Sequence, residues 1–118
     1  MSQRHPVIAI TGSSGAGTTS VRRTFEQIFR REHINAAYVE GDSFHRWDRQ
    51  EMKAAMAAAV DRGDEALSHF GAEANLLEEL EGLFREYGAT GGGKVRRYLH
   101  DDEEAAPYGQ EPGTLTQW

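Results

Sequence analysis

Gly12-Ser13-Ser14-Gly15-Ala16-Gly17-Thr18-Thr19-Ser20 joins a short apolar run to an amphipathic segment. Glycines at that spacing let successive backbone N–H groups curl around a di- or triphosphate. The helix that follows the loop would aim its positive end at the same anion. Thr19 stands where a hydroxyl residue holds the Mg²⁺ that bridges β- and γ-phosphates. Before it comes Thr18, where the phosphate-loop pattern expects lysine, so another cation must supply that charge. Two rival readings stay open. One is a dinucleotide turn, favoured by Glu40 and Asp42 as ribose contacts, but Gly12, Gly15 and Gly17 follow G-x-x-G-x-G and not G-x-G-x-x-G. The other is a Gly/Ser-rich turn that binds nothing.

A second constellation follows at Gly41-Asp42-Ser43-Phe44-His45-Arg46. It falls at the end of an expected strand, the edge on which open α/β sheets bind ligands. Asp42 there could accept the proton of a hydroxyl attacking a γ-phosphate; as a plain structural residue it would cap the next helix. His45, Arg49 and Lys53 stand at i, i+4 and i+8, so one helix would stack all three on a face suited to a phosphate monoester. Asp48 and Glu51 fall elsewhere on that wheel. The alternative is a solvated polar face opposite Met52 and Met56.

These residues need elements to hold them. Val7 to Thr11 is a continuous apolar run bounded by Pro6 and Gly12, read as a buried parallel strand. Val21, Phe25, Ile28 and Phe29 predict a helix ending near Glu32, and Ala36 to Glu40 a second strand closing a βαβ unit. Gln50 to Val60 predicts a helix with Met52, Met56 and Val60 on one face, stopped by Gly63. Leu76, Leu77, Leu80, Leu83, Phe84 and Tyr87 predict another, ended by Gly88. Lys94 to His100 suits an edge strand or hairpin arm, and beyond it lies the acidic run Asp101 to Glu104. The fold class expected is α/β: a P-loop NTPase-like parallel sheet with flanking helices. Two parallel strands are too few for a sheet covered on both faces. Residues 1–118 are therefore expected to be a single incomplete P-loop kinase domain, its N-terminal part only, inactive and poorly folded by itself.

Composition narrows the class further. With no cysteine in 118 residues, a disulfide framework and a thiolate metal site are excluded, which fits a reducing cytoplasm. Thirteen Lys plus Arg against nineteen Asp plus Glu give a formal charge of −6, which argues against a duplex nucleic-acid partner. The cations nevertheless gather in the first half, at Arg22, Arg23, Arg30, Arg31, Arg46, Arg49 and Lys53. No signal peptide or membrane-spanning run is expected.

Several stretches resemble the bacterial phosphoribulokinase family: the glycine-rich loop, Glu40 to Arg46, Ser68-His69-Phe70-Gly71-Ala72-Glu73-Ala74-Asn75, Arg85 to Gly88, Tyr98-Leu99-His100 and Pro112-Gly113-Thr114. The resemblance runs in order over essentially the whole chain, and in that family a hydroxyl residue also replaces the loop lysine. It implies ATP-dependent phosphorylation of the 1-hydroxyl of D-ribulose 5-phosphate in the Calvin cycle. Asp42 would be the general base; His45, Arg49 and Lys53 would hold the sugar phosphate; Gly12 to Ser20 would bind ATP and Thr19 Mg²⁺. Tyr98 and His100 would also approach the substrate, although the residues alone equally allow His100 as a surface histidine beside an acidic run. A second metal ligand, a basic lid, homo-oligomeric assembly and responses to NADH and AMP belong to the family's longer chains. A uridine- or pantothenate-kinase relative, or a nucleotide-binding module without chemistry, are the competing functions.

Overall fold

The structure, a computed structural model, describes residues 3–12, 17–64 and 67–118. The chain divides into two compact units, Met1–Tyr38 and Val39–Trp118.

In the first unit, α1 spans Thr18–Arg31 and ends at Glu32, as its apolar period predicts. The helix is entered from Gly17, whose φ of 86° is a conformation that a Cβ would penalise. Along one face Phe25 meets Phe29 at 5.7 Å between ring centroids, and Phe29 meets Tyr38 at 6.4 Å. The Arg22 guanidinium lies 5.1 Å over the Tyr38 ring and bonds to Glu26. Neither expected parallel strand is laddered among the described residues: 6–12 and 34–40 contain no helix and no strand. A strand exists by virtue of hydrogen bonds to a neighbour, and extended backbone without one is only poised to join a sheet.

In the second unit, α2 spans Arg49–Asp61 and α3 spans Leu77–Thr90. Met52 and Ala59 of α2 are buried, whereas Val60 is 64% exposed. Seven residues are about 20° short of two full turns and eight are about 80° past them, so Ala59 and not Val60 continues the Met52 stripe. On α3, Leu80, Leu83 and Tyr87 are half-buried, while Leu77 and Phe84 lie one stripe round and stay exposed. The helix runs through Gly88 and stops at Gly91. An internal glycine costs about 1 kcal/mol relative to alanine but does not by itself end a helix.

The Lys94–His100 arm supplies β1, Tyr98–Leu99, which pairs antiparallel with β2, Thr114–Leu115. β2 is too short and mixed to show a period. Between the two strands, the acidic run forms a short helix, α4 (Asp102–Ala105), capped by the Asp101 side chain on the Glu104 amide. Leu99 is fully buried, and Phe44, Met52, Ala59, Ala74 and Ala105 complete the small core. No helix among the described residues is long and apolar enough to cross a membrane.

Candidate active site

Asp42 sits in a 3-10 turn, Gly41–Phe44, whose Ser43 and Phe44 are buried and whose preceding residue, Glu40, is extended. The turn is fastened from below. Arg96 donates from Nε to the Ser43 carbonyl at 3.0 Å and from Nη2 to the His45 carbonyl at 2.6 Å. Its guanidinium stacks 4.6 Å over the Trp118 ring, which also meets Phe44 at 5.7 Å. Burial lowers the pKa of Arg96, with Glu51 and Glu79 pulling the other way. After the turn the chain pairs antiparallel at His45 with Asn75, the Arg46 amide donating to the Ala74 carbonyl and Leu76 to that of Phe44.

The Asp42 carboxylate projects from this base and does not cap a helix. Its Oδ1 is 3.2 Å from His45 Nε2 and its Oδ2 is 2.8 Å from His100 Nε2. Both imidazoles, together with Trp47, Arg49, Met52 and Tyr98, line a cavity of about 190 Å³. The Tyr98 ring stands edge-on to His45 at 5.7 Å and lies 5.0 Å from His100. Arg49 donates its amide to the Gly113 carbonyl at 2.8 Å and its Nη2 to the His100 carbonyl at 2.9 Å. Gly113 has a φ of 81°, and a Cβ there would come within 2.9 Å of the Arg49 Cβ. That close approach is what lets α2 begin against the β1–β2 hairpin.

The shared helical face of His45, Arg49 and Lys53 needs correcting. Asp48 caps α2, its carboxylate accepting from the Glu51 amide at 2.8 Å while Glu51 accepts from the Asp48 amide at 3.2 Å. This capping box starts the helix at Arg49 and leaves His45 outside it. His45 and Arg49 still reach one cavity, the first from the turn and the second from the first turn of α2. Lys53 lies four residues further, roughly 6 Å along the axis, and is exposed outside the cavity lining. Ser13, Ser14, Gly15 and Ala16 lie outside the described residues. Gly12 precedes them; Gly17 and the α1 residues Thr18, Thr19 and Ser20 follow, Thr19 and Ser20 being exposed in the first turn.

No spacing rule ties His69, Asn75, Arg96 or Trp118 to Asp42; His69 and Asn75 stand in a stretch that carries the family resemblance, but the residue pattern assigns none of the four a role. Only Asp48-x-x-Glu51 carried a local signal, the capping-box pattern that would have separated His45 from the helix.

His100 is held between two carboxylates. Its Nδ1 is 3.1 Å from Glu104 Oε2, and its backbone amide donates to the same oxygen at 2.9 Å. Partial burial alone would lower its pKa, but the hydrogen bonds and charges of Asp42 and Glu104 outweigh that and raise it. Glu104 is lowered, first by the His100 amide and then by its ring. A raised histidine stabilises the fold fully below its unfolded value of about 6.5, and that contribution is lost as pH climbs through the raised value. The lowered Glu104 contributes above its ordinary carboxylate range and loses its contribution as pH falls. His100→Gln in a chain of the relatives' length should therefore cost most stability between about pH 5 and 6.5 and less at alkaline pH. Urea midpoints across that range check this; a pH-independent cost would refute it.

Residues 7–117 match the model of the Phosphoribulokinase / Uridine kinase family. The chain is 66% identical over its full length to the chromosomal phosphoribulokinase of Cupriavidus necator and 61% identical to the phosphoribulokinase of Nitrobacter vulgaris. It spans 40% and 41% of those proteins. The solved phosphoribulokinase from Rhodobacter spheroides superposes with a TM-score of 0.86 at 49% identity, covering 99% of this chain and 39% of that one. A match of that extent and identity sets the fold as α/β of the P-loop kinase kind, although the described strands alone are few. The chain belongs to the phosphoribulokinase / uridine kinase family.

Proposed function

We propose that the protein takes part in transfer of the γ-phosphoryl group of ATP to the 1-hydroxyl of D-ribulose 5-phosphate, giving ribulose 1,5-bisphosphate for carbon fixation in the Calvin cycle. The observation that carries this reading is Asp42, a carboxylate flanked by two imidazoles and near Arg49 in one small cavity. An ionised carboxylate offers about four lone-pair sites, so two imidazole contacts leave room for a substrate hydroxyl. As that hydroxyl oxygen bonds to the γ-phosphorus and the bond to the β,γ-bridging oxygen breaks, its proton passes to Asp42 and ADP leaves. His45 and Arg49 would hold the sugar's phosphate monoester by charge-assisted hydrogen bonds. Lys53, exposed one turn outward, would draw the anion in.

Gly12 to Ser20 would bind the nucleotide, with the N-terminus of α1 facing its phosphates. The exposed Thr19 hydroxyl suits a hard cation, which prefers oxygen ligands and shares them with substrate phosphates. Bound Mg²⁺ would neutralise charge building on the transferred group. Residues 1–118 are read as belonging to one kinase domain. Homo-oligomeric assembly and a cytoplasmic location complete the reading; they rest on the family resemblance and the cysteine-free sequence.

Uridine shares the family's description, so it is the discriminating comparison. A chain of the relatives' full length that carries this sequence should phosphorylate ribulose 5-phosphate with the higher kcat/KM. A preference for uridine would overturn the proposal.

A further inference from the structure

Asn75 decides which way His45 is presented. Its Nδ2 donates to the carbonyls of His69 and Gly71, both at 2.8 Å. With both amide hydrogens engaged, turning the group over would set Oδ1 against two carbonyl oxygens. Oδ1 therefore faces His45 Nδ1, 3.0 Å away, and that ring nitrogen must carry a hydrogen. Nε2 is left as the ring atom toward Asp42 and the cavity. Backbone pairing holds the two residues in register, as His45 and Asn75 face each other across the antiparallel bridge. Tyr98 and His69, both edge-on to the imidazole, restrict its remaining rotation.

We infer that Asn75 is a positioning residue for substrate binding: by accepting from His45 Nδ1–H and fixing the ring plane, it directs Nε2, as the ring's second donor, at Asp42 and the sugar phosphate. This rests on the kinase reading above. A ring released from Asn75 can rotate, and so meets the substrate in the intended orientation only part of the time. The cost falls on binding rather than on the proton transfer at Asp42.

The test uses a chain of the relatives' full length carrying this sequence. Asn75→Leu removes the acceptor and both donors. It should raise KM for ribulose 5-phosphate about tenfold or more, the scale of one lost charge-assisted hydrogen bond, with kcat changed much less. Asn75→Asp keeps an acceptor for Nδ1 but sets its second oxygen against the two carbonyls, so under this inference its KM falls between the parent's and that of Asn75→Leu. If Asn75 merely pinned the 69–71 loop, both variants would be equally impaired, which would overturn the inference. Nitrogen-15 NMR of the His45 ring, assigned with His45→Gln, gives a readout independent of turnover. The Nδ1–H signal should persist in parent and Asn75→Asp and be lost or exchange-broadened in Asn75→Leu; its absence from the parent would also overturn the inference. A parent that shows this signal but does not phosphorylate ribulose 5-phosphate would sink the kinase reading and leave the Asn75–His45 link standing.

Discussion

Asp42→Asn, in a chain of the relatives' length, is expected to lower kcat by about 10²–10⁴-fold, the range that a positioned general base contributes. The replacement is close to isosteric, so the 3-10 turn held by Arg96 should persist. What changes is the chemistry at two oxygens. An amide cannot take the substrate's proton, and one of the positions facing His45 Nε2 and His100 Nε2 becomes an N–H donor. A donor against an imidazole N–H repels, so one histidine should swing away and KM should rise modestly as well. Steady-state kinetics with ribulose 5-phosphate decide the matter. Turnover within a few-fold of the parent would remove Asp42 from the base role and leave it as a clasp for the two rings.

The largest expected effect on stability is at Leu99. Its side chain is fully buried between two site residues, Tyr98 and His100. Its carbonyl accepts from the Gly113 amide at 2.6 Å, and its strand partner is Thr114. Leu99→Ala leaves a cavity in a core with few members, at a cost of about 2–5 kcal/mol. The urea unfolding midpoint should fall accordingly, and His100 should lose part of its fixed distance to Asp42. A loss below about 1 kcal/mol would mean that the site collapses around the smaller side chain without penalty.

How much of this was legible beforehand differs residue by residue. The presence of α1 after the glycine-rich loop could be read because such a turn between an apolar run and a helical period is a local pattern, although the helix already starts at Thr18. Asp42 is proposed as chemical from its place after an expected strand, and His45 and Arg49 do line one cavity with it. The reason expected for their meeting was mistaken. Helical spacing suggested one face, but the Asp48–Glu51 capping box breaks the run, and tertiary pairing at His45–Asn75 brings the histidine in instead. His100, which the residues alone left equally open as a surface histidine, lies against Asp42 because β1 carries it there from 58 positions away. Arg96 and Trp118 escaped notice for the same reason: their partners Ser43 and Phe44 are distant in sequence, and periodicity reports only on neighbours. The parallel strands were expected from apolar runs, a pattern that marks a segment able to enter a sheet, not one already laddered in it.

The fastening of the 3-10 turn to the β1–β2 hairpin also sets a timetable. Asp42 meets His100 across 58 positions, Ser43 meets Arg96 across 53, and Arg49 meets the His100 carbonyl across 51. A ribosome adding about 5–20 residues per second makes the aspartate roughly 3–12 seconds before its second imidazole. Closing loops of that length draws on chain entropy before any contact rewards it. The carboxylate is thus synthesised early and acquires its surroundings late, when the hairpin docks. A substitution that slows hairpin closure would show as a lag in the appearance of active molecules, with each molecule, once formed, working at the parent's rate.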